Sequence, residues 1–259
     1  MFRYAVLGSG SSANSYIFEY ENFSFILDNG FSARELNRRM KELSFHPQNL
    51  QFIFLSHIHS DHLKGVETLS RERQVPVVIH ENLNINEFVN RDVFHKLSVI
   101  PNRSYNYKKL DFTPFATSHD APSSLSYFFK IGGMKITIIT DTGVTDDNMF
   151  NLALQSDILL LESNYSEDML ENGKYPGFLK RRISSEVGHL SNFQSAFFLE
   201  KLRSHPQCRI RQIYLCHLSK NNNSLSVADK EIQSIYRGSI PYRICDRGEL
   251  VNGVDPGSF

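Results

Sequence analysis

Short apolar runs rich in aromatic and β-branched residues recur along the chain, each ending in a polar or turn-forming cluster. That pattern predicts strands near 2–7, 15–20, 23–28, 51–56, 76–80, 112–117, 125–131, 134–140, 157–161 and 212–216. Between them, apolar positions at helical spacing predict helices near 33–42, 62–73, 84–94, 146–155, 192–203 and 226–237. Ser32 and Glu35 are spaced as a capping box for the first. Strand runs interleave with helices in both halves. That interleaving is what two packed sheets with helices outside require, in an α/β (α+β) chain. With 259 residues the chain can bury a large core, and residues 1–259 are expected to form one domain. There is no internal repeat, low-complexity tract or Pro/Ser-rich linker.

The polar clusters at the strand ends carry the chemistry. After the apolar run Gln51 to Ser56 come His57-Ile58-His59-Ser60-Asp61-His62, three imidazoles and a carboxylate within six residues. In an extended segment His57 and His59 point the same way, while Asp61 and His62 follow where the chain turns toward a helix, so one segment can feed two adjacent metals. Imidazole suits borderline ions such as Zn²⁺, and the carboxylate also admits Mn²⁺ or Fe²⁺. Three more candidates sit at strand ends: His119 after Phe112 to Ser118, Asp141 after Met134 to Thr140, and His217 after Ile213 to Cys216. A lone His or Asp at such a place is more often a hydrogen-bonded structural residue; their order along the chain changes the balance.

H-x-H-x-D-H, then His, Asp and His, each after a strand, resembles the metallo-β-lactamase superfamily over nearly the whole chain. The resemblance implies the metallo-β-lactamase fold, a four-layer αββα sandwich with its site along one edge, and two divalent ions per chain. His57, His59 and His119 would hold the first metal, Asp61, His62 and His217 the second, and Asp141 would bridge them. It also makes Asp28, in FSFILDNG, a support of the metal loop rather than a ligand, which is compatible with a plain turn role before Asn29-Gly30. The segments LLLESNY, with Glu162, and GHLSNFQSA, with His189, resemble those of ribonuclease Z-like phosphodiesterases, where a Glu orients a His that protonates the leaving oxygen. Together with LGSGSSANS, SHDA and HLSKNNN, they are similar to the YycJ/WalJ-type bacterial exonuclease branch, although Ala13 stands where that branch usually has Gly. The resemblance implies a hydrolase acting through metal-activated hydroxide. Its roles would be Asp61 beside the water, His189 as general acid and Glu162 as orienter, and its reaction 5′–3′ exonuclease or phosphodiesterase cleavage of nucleic acid, DNA rather than RNA.

Composition narrows the rest. Lys+Arg and Asp+Glu are 28 each and the pI is near 7.2, against the broad basic surface of a nonspecific nucleic-acid binder. Local groups must therefore meet phosphate. Ser9, Ser11, Arg181, Arg182 and Asn222 are the expected contacts, while Lys174 reads as a solvated side chain and Arg103, Lys108 and Lys109 among Tyr105 and Tyr107 as a surface hairpin or second patch. Gly8-x-Gly10-x-x-Ala13 imitates a dinucleotide fingerprint, but a strand pattern and no helix follows it, so no nucleotide cofactor is expected. Cys208, Cys216 and Cys245 form no CxxC pair and read as reduced buried thiols. The opening MFRYAVLGSGSS has too short an apolar run for a signal peptide, and no stretch approaches the ~18 apolar residues of a membrane span. A cytoplasmic location with no membrane partner is the expectation. Rival readings share parts of the pattern. A glyoxalase II-type thioesterase has the same ligands but an added helical tail and no Glu-His pair. An exported lactamase, a flavodiiron reductase, a β-CASP ribonuclease and a non-enzymatic nucleic-acid-binding module each need a feature the chain lacks or the loss of a ligand it keeps.

Overall fold

A computed structural model describes residues 1–254. One seven-stranded sheet contains β1 (Phe2–Gly8), β2 (Ser15–Tyr20), β3 (Phe23–Leu27), β4 (Leu50–Phe54), β5 (Val77–His80) and β6 (Lys96–Val99), and is completed beside β1 by the last strand. The second contains β7 (Tyr105–Tyr107), β8 (Leu110–Ala116), β9 (Leu125–Ile131), β10 (Met134–Ile139), β11 (Ile158–Glu162), β12 (Gln212–Cys216) and β13 (Tyr242–Ile244); β14 (Val251–Val254) is the strand that closes the first. The two sheets repeat one plan. In the order β14-β1-β2-β3-β4-β5-β6 and the order β7-β8-β9-β10-β11-β12-β13, three antiparallel pairings are followed by three parallel ones.

Helices cover the outer faces: α1 (Ala33–Glu42), α2 (Ser60–Leu63) and α3 (Val66–Arg73) follow strands of the first sheet, and α4 (Asp147–Leu154), α7 (Asn192–Arg203) and α8 (Leu225–Ile235) those of the second, while α5 (Glu167–Asn172) and α6 (Gly177–Ile183) add nothing to the outer core and α6 buries no side chain. Three apolar clusters fill the layers. Leu36, Met40, Val66 and Leu69 pack on one outer face, and Met149, Ala153, Leu199 and Ile232 on the other. Between the sheets lies an aromatic core in which Phe25 and Phe54 meet Phe129 at 4.6 and 5.0 Å between ring centroids. Two buried phenols tie the layers. Tyr4 and Tyr214 share a 2.8 Å hydrogen bond, and Tyr127 donates at 2.8 Å to the Leu55 carbonyl, just ahead of the histidine-rich segment. The αββα sandwich expected from the sequence is present, and no helix among the described residues is long and apolar enough to cross a membrane.

Several elements differ from the expectation. Residues 84–94 form only a single 3₁₀ turn at Ile85–Glu87 instead of a helix. Ile85 and Val93 are drawn into the first outer core, and the Glu67 carboxylate accepts from the Asn90 amide and from Arg91, so tertiary ties hold the segment open. The helix expected over 62–73 breaks into α2 and α3 at Gly65, whose amide donates to the Asn29 carbonyl. Ser32 caps α1, but Glu35 turns to Arg38 and Arg39 and leaves the capping box half made. A complete box occurs instead at Ser191 and Gln194, at the head of α7. The short strands β6, β13 and β14 and the helices α5 and α6 have no counterpart among the expected elements, while β7 and β8 form the surface hairpin expected around Tyr105 and Tyr107.

The chain stretches that enclose the site are stitched backbone to backbone. Asn14 donates to the Asp61 carbonyl at 2.7 Å, Asn29 to that of His62 at 2.8 Å, and Gly30 to that of Asn14 at 3.1 Å. A Cβ on Gly30 would lie 1.9 Å from the Asp61 oxygen, so only glycine lets these strands meet. Gly30→Ala should therefore cost about 3 kcal/mol or more in urea unfolding, because backbone rather than a flexible side chain must move. Unchanged stability together with full metal content would refute this close approach.

Candidate metal centre and its general acid

Each strand that ends at the site delivers a side chain, and three of the delivering residues are held in a left-handed backbone conformation. Asp28 after β3, Asp141 after β10 and His217 after β12 have φ of 60°, 57° and 62°. Such non-glycine residues persist only where the surroundings over-determine them, and they cluster at functional sites. The sharp turn at the end of a rigid strand swings each side chain off the sheet edge toward one point.

There the ligand atoms form two neighbouring groups. His57 Nε2 and His119 Nε2 lie 3.1 and 3.2 Å from His59 Nδ1. A tetrahedral ion bound at about 2.0–2.1 Å to imidazole separates its ligand atoms by about 3.4 Å, so this triangle has the edge length a metal requires. Asp61 Oδ2 lies 3.6 Å from His62 Nε2 and 3.7 Å from His217 Nε2. Asp141 stands between the groups, Oδ2 3.5 Å from His62 Nε2, and Oδ1 3.5 Å from His217 Nε2 and 3.9 Å from His119 Nε2. Asp141 Oδ2 and His217 Nε2 are buried without a hydrogen-bond partner. Buried polar atoms left bare are costly unless something binds them, so the residues fit divalent cations. All seven ligands expected from the sequence converge here.

The opposite nitrogen of every imidazole has an acceptor. His62 Nδ1 donates to Asp28 Oδ2 at 2.7 Å, and Ser56 hydrogen-bonds that same carboxylate through its amide and hydroxyl, both at 2.7 Å. Because the Ser56 proton is committed to Asp28, His57 Nδ1 must donate to Ser56 Oγ, 2.9 Å away. His119 Nδ1 donates to the Gly188 carbonyl at 3.2 Å, and His59 Nε2 faces Asp120 Oδ1 at 3.5 Å. His217 Nδ1 faces Glu162 Oε1 at 3.1 Å. These partners fix the tautomer that leaves a lone pair for the metal.

Glu162 does more than its expected part. The same Oε1 accepts from His189 Nδ1 at 2.7 Å, and Oε2 accepts from the Thr142 amide at 3.0 Å. Burial works against ionising Glu162, yet His189 and His217 hold its carboxyl well below the usual carboxylate range. His189 is partly exposed, and its Nε2 is the nitrogen left to carry a proton outward. It does not cap α7; Ser191 does.

Sequence reasoning missed the supporting residues Asn14, Ser56, Asp120 and Asn164. Asn14 is fully buried; its Oδ1 accepts from Gly10, which aims Nδ2 at Asp61 Oδ2, 3.1 Å away. Asn164 donates to the His217 carbonyl at 2.8 Å. Two expected phosphate contacts are corrected. Ser9 is fully buried, and its hydroxyl accepts from the His217 amide at 2.7 Å. Asn222 is 1% exposed and spent on Ser219 and Ser166. Both hold the wall of the site rather than face solvent. Ser11, Arg181 and Arg182 are exposed, but Arg182 Nε pairs with Asp120 Oδ2, beside the first ligand group.

A sandwich of two mixed sheets with a His/Asp centre at the strand ends defines a metallohydrolase class, and the chain belongs to it: the family model of the β-lactamase superfamily domain matches residues 24–218. Exodeoxyribonuclease WalJ of Streptococcus pneumoniae is 31% identical over 88% of this chain and 85% of that protein. Exodeoxyribonuclease YycJ of Bacillus anthracis is 29% identical over 90% and 88%. In fold alone the chain is similar to the metallo-β-lactamase fold protein YhfI from Bacillus subtilis, with a TM-score of 0.72 at 16% identity, covering 97% and 99% of the two chains. It is similar likewise to the short form of human tRNase Z, with a TM-score of 0.64 at 17% identity over 96% and 98%.

Protons and metal compete at the second group. Burial lowers the pKa of His62, but Asp141, Asp28 and Asp61 outweigh it and push it up to about 9. Burial opposes protonation of His217 too, and Asp141, Asp61 and Glu162 raise it well above the ordinary range. His57 and His59 move down, through burial first and then their imidazole neighbours. An unfolded His titrates near ~6.5, so the His62 proton stabilises the metal-free fold fully below that pH, and this contribution is lost as pH rises through about 9. Chelated protein should accordingly melt lower at about pH 9.5 than at about pH 6.5, while metal-loaded protein escapes this loss because ligation replaces the protons. Calorimetry at the two pH values checks it; a chelated protein at least as stable at the higher pH would mean that His62 is neutral.

Proposed function

We propose that this protein is a cytoplasmic, metal-dependent phosphodiesterase that degrades DNA from its 5′ end without reading sequence, with residues 1–259 acting as one domain. The observation that carries the reading is His189, fixed through Nδ1 by Glu162 at 2.7 Å and 3.8 Å from Asp141 Oδ1, a proton donor placed beside the ligand groups. Its exodeoxyribonuclease relatives support the substrate class.

Two divalent ions, Mn²⁺ or Zn²⁺ with Fe²⁺ also compatible with the donors, would be held by His57, His59 and His119 and by Asp61, His62 and His217, with Asp141 shared. They would supply a water deprotonated near neutral pH and charge to offset that on pentavalent phosphorus. The chain's own residues do the remainder. Asp61, aimed by Asn14, positions the nucleophilic water. As the bond from phosphorus to the sugar oxygen breaks, His189 gives that oxygen its Nε2 proton, and Glu162 holds the ring in the right tautomer. Ser11, Arg181 and Arg182 meet flanking phosphates, Arg182 through the guanidinium nitrogens that Asp120 leaves free.

His189→Ala should keep two ions per chain by elemental analysis yet lose about 10² or more in turnover on DNA. Bis(p-nitrophenyl) phosphate, whose leaving group needs no proton, should be spared most of that loss. Glu162→Gln should fall on both substrates, because Glu162 also supports His217, and should need more metal for activity. Equal losses on both substrates for His189→Ala would make that residue structural.

The substrate is tested with Mn²⁺-loaded protein and end-labelled DNA and RNA, expecting release of nucleotides from DNA 5′ ends. Binding should weaken with salt, and Arg181→Ala with Arg182→Ala should flatten the slope by roughly one to two units. DNA and RNA left intact, with S-lactoylglutathione hydrolysed, would replace this reading with a thioesterase.

A further inference from the structure

Beside the metal centre the chain leaves an aromatic ring in solvent. Phe178, in the first turn of α6, is 68% exposed, the most exposed aromatic side chain among the described residues. It stands four residues before Arg182, so the two share a helix face with their Cβ atoms about 5–6 Å apart. Arg182 fixes the direction of that face: its Nε pairs with Asp120, whose other oxygen is 3.5 Å from His59 Nε2 and 3.6 Å from His119 Nε2. The segment after α6 is anchored too, since the His189 amide donates to the Ile183 carbonyl and Gly188 accepts from His119. Phe178 therefore stands on the helix face that carries Arg182, on a braced helix.

An isolated exposed apolar residue is ordinary on a protein surface. Here three cations, Lys180, Arg181 and Arg182, follow in the same short helix, and Arg181 forms no ion pair among the described residues. A flat ring within a cluster of positive charge matches a polyanion that carries flat rings of its own. The geometry points to Phe178 as a stacking platform for a base of the nucleic-acid substrate, one that holds the base next to the phosphate gripped by Arg182. This rests on the phosphodiesterase reading and narrows its substrate: inside a duplex both faces of a base are covered by its stacked neighbours, whereas a single-stranded or frayed end presents them, and the platform takes such an end.

Metal-loaded protein and a single-stranded oligonucleotide made nuclease-resistant with phosphorothioate linkages give the test, read by fluorescence anisotropy. Phe178→Ala should weaken binding roughly five-fold to a hundred-fold, the range lost when a stacked base loses its aromatic partner. On an oligonucleotide with abasic sites at its 5′ end, the parent and Phe178→Ala should bind alike. The sequence contains no tryptophan, so Phe178→Trp creates a single reporter, whose emission should be quenched by the oligonucleotide while affinity is kept. Unchanged binding by Phe178→Ala, or an equal loss on intact and abasic strands, overturns the stacking role while leaving the nuclease reading in place, provided the parent degrades DNA. A parent that neither binds nor degrades DNA overturns the nuclease reading, and the platform with it.

Discussion

A histidine can bind a metal through one nitrogen only if the other nitrogen carries the proton, and this constraint organises the whole edge of the sandwich. Five imidazoles must each be held in one tautomer, so five acceptors must be brought to their far sides: Ser56 for His57, Asp120 for His59, Asp28 for His62, the Gly188 carbonyl for His119 and Glu162 for His217. Those acceptors come from both sheets and from segments up to 69 residues distant in sequence. The ligands cannot be poised until the two halves have closed, and the aromatic core between the sheets closes them.

The repeated sheet plan explains how so many groups reach one place. Asp28 and Asp141 end equivalent strands, the first members of the parallel set in their respective sheets, and both turn through a left-handed conformation there. Asp141 contacts ligand nitrogens directly, while Asp28 reaches its imidazole from behind. One structural device thus serves two roles, decided by which side of the ligand cluster each sheet presents. The unfavourable backbone at these residues, of order 1–3 kcal/mol each, is sustained by the strands that lead into them.

Much of this was legible in the sequence because strand ends announce themselves: an apolar run stops and a His or Asp follows. The seven side chains that meet at the site stood out that way, while Asp28, Glu162 and His189 entered through the resemblance carried by FSFILDNG, LLLESNY and GHLSNFQSA. The rest depended on tertiary contact. Asn14, Ser56 and Asp120 lie within or beside the segments that carry the resemblance, but only folding shows the hydrogen-bond partners of such small polar residues. Ser9 and Asn222 illustrate the reverse error. A Ser in a glycine-rich loop and an Asn in a polar run look available to a ligand, yet each is buried and used internally. The short strands β6 and β13 carry too few apolar residues to stand out, and the Ile85 to Val93 segment has helical content that Glu67 and the outer core override.

Glu162 ties the proton donor proposed at His189 to the candidate metal centre. A single carboxylate oxygen takes a hydrogen bond from His189 and another from His217, so both imidazoles are positioned by the same atom. Moving that oxygen to favour one imidazole would loosen the other, and the Thr142 amide, donated from the turn after Asp141, keeps the carboxylate from rotating. The distance between the His189 ring and the ligand groups is consequently set by the end of one strand, β11, with almost no freedom left in the side chains. The general-acid role proposed for His189 needs that rigidity, since the proton must arrive as the bond to the leaving oxygen opens.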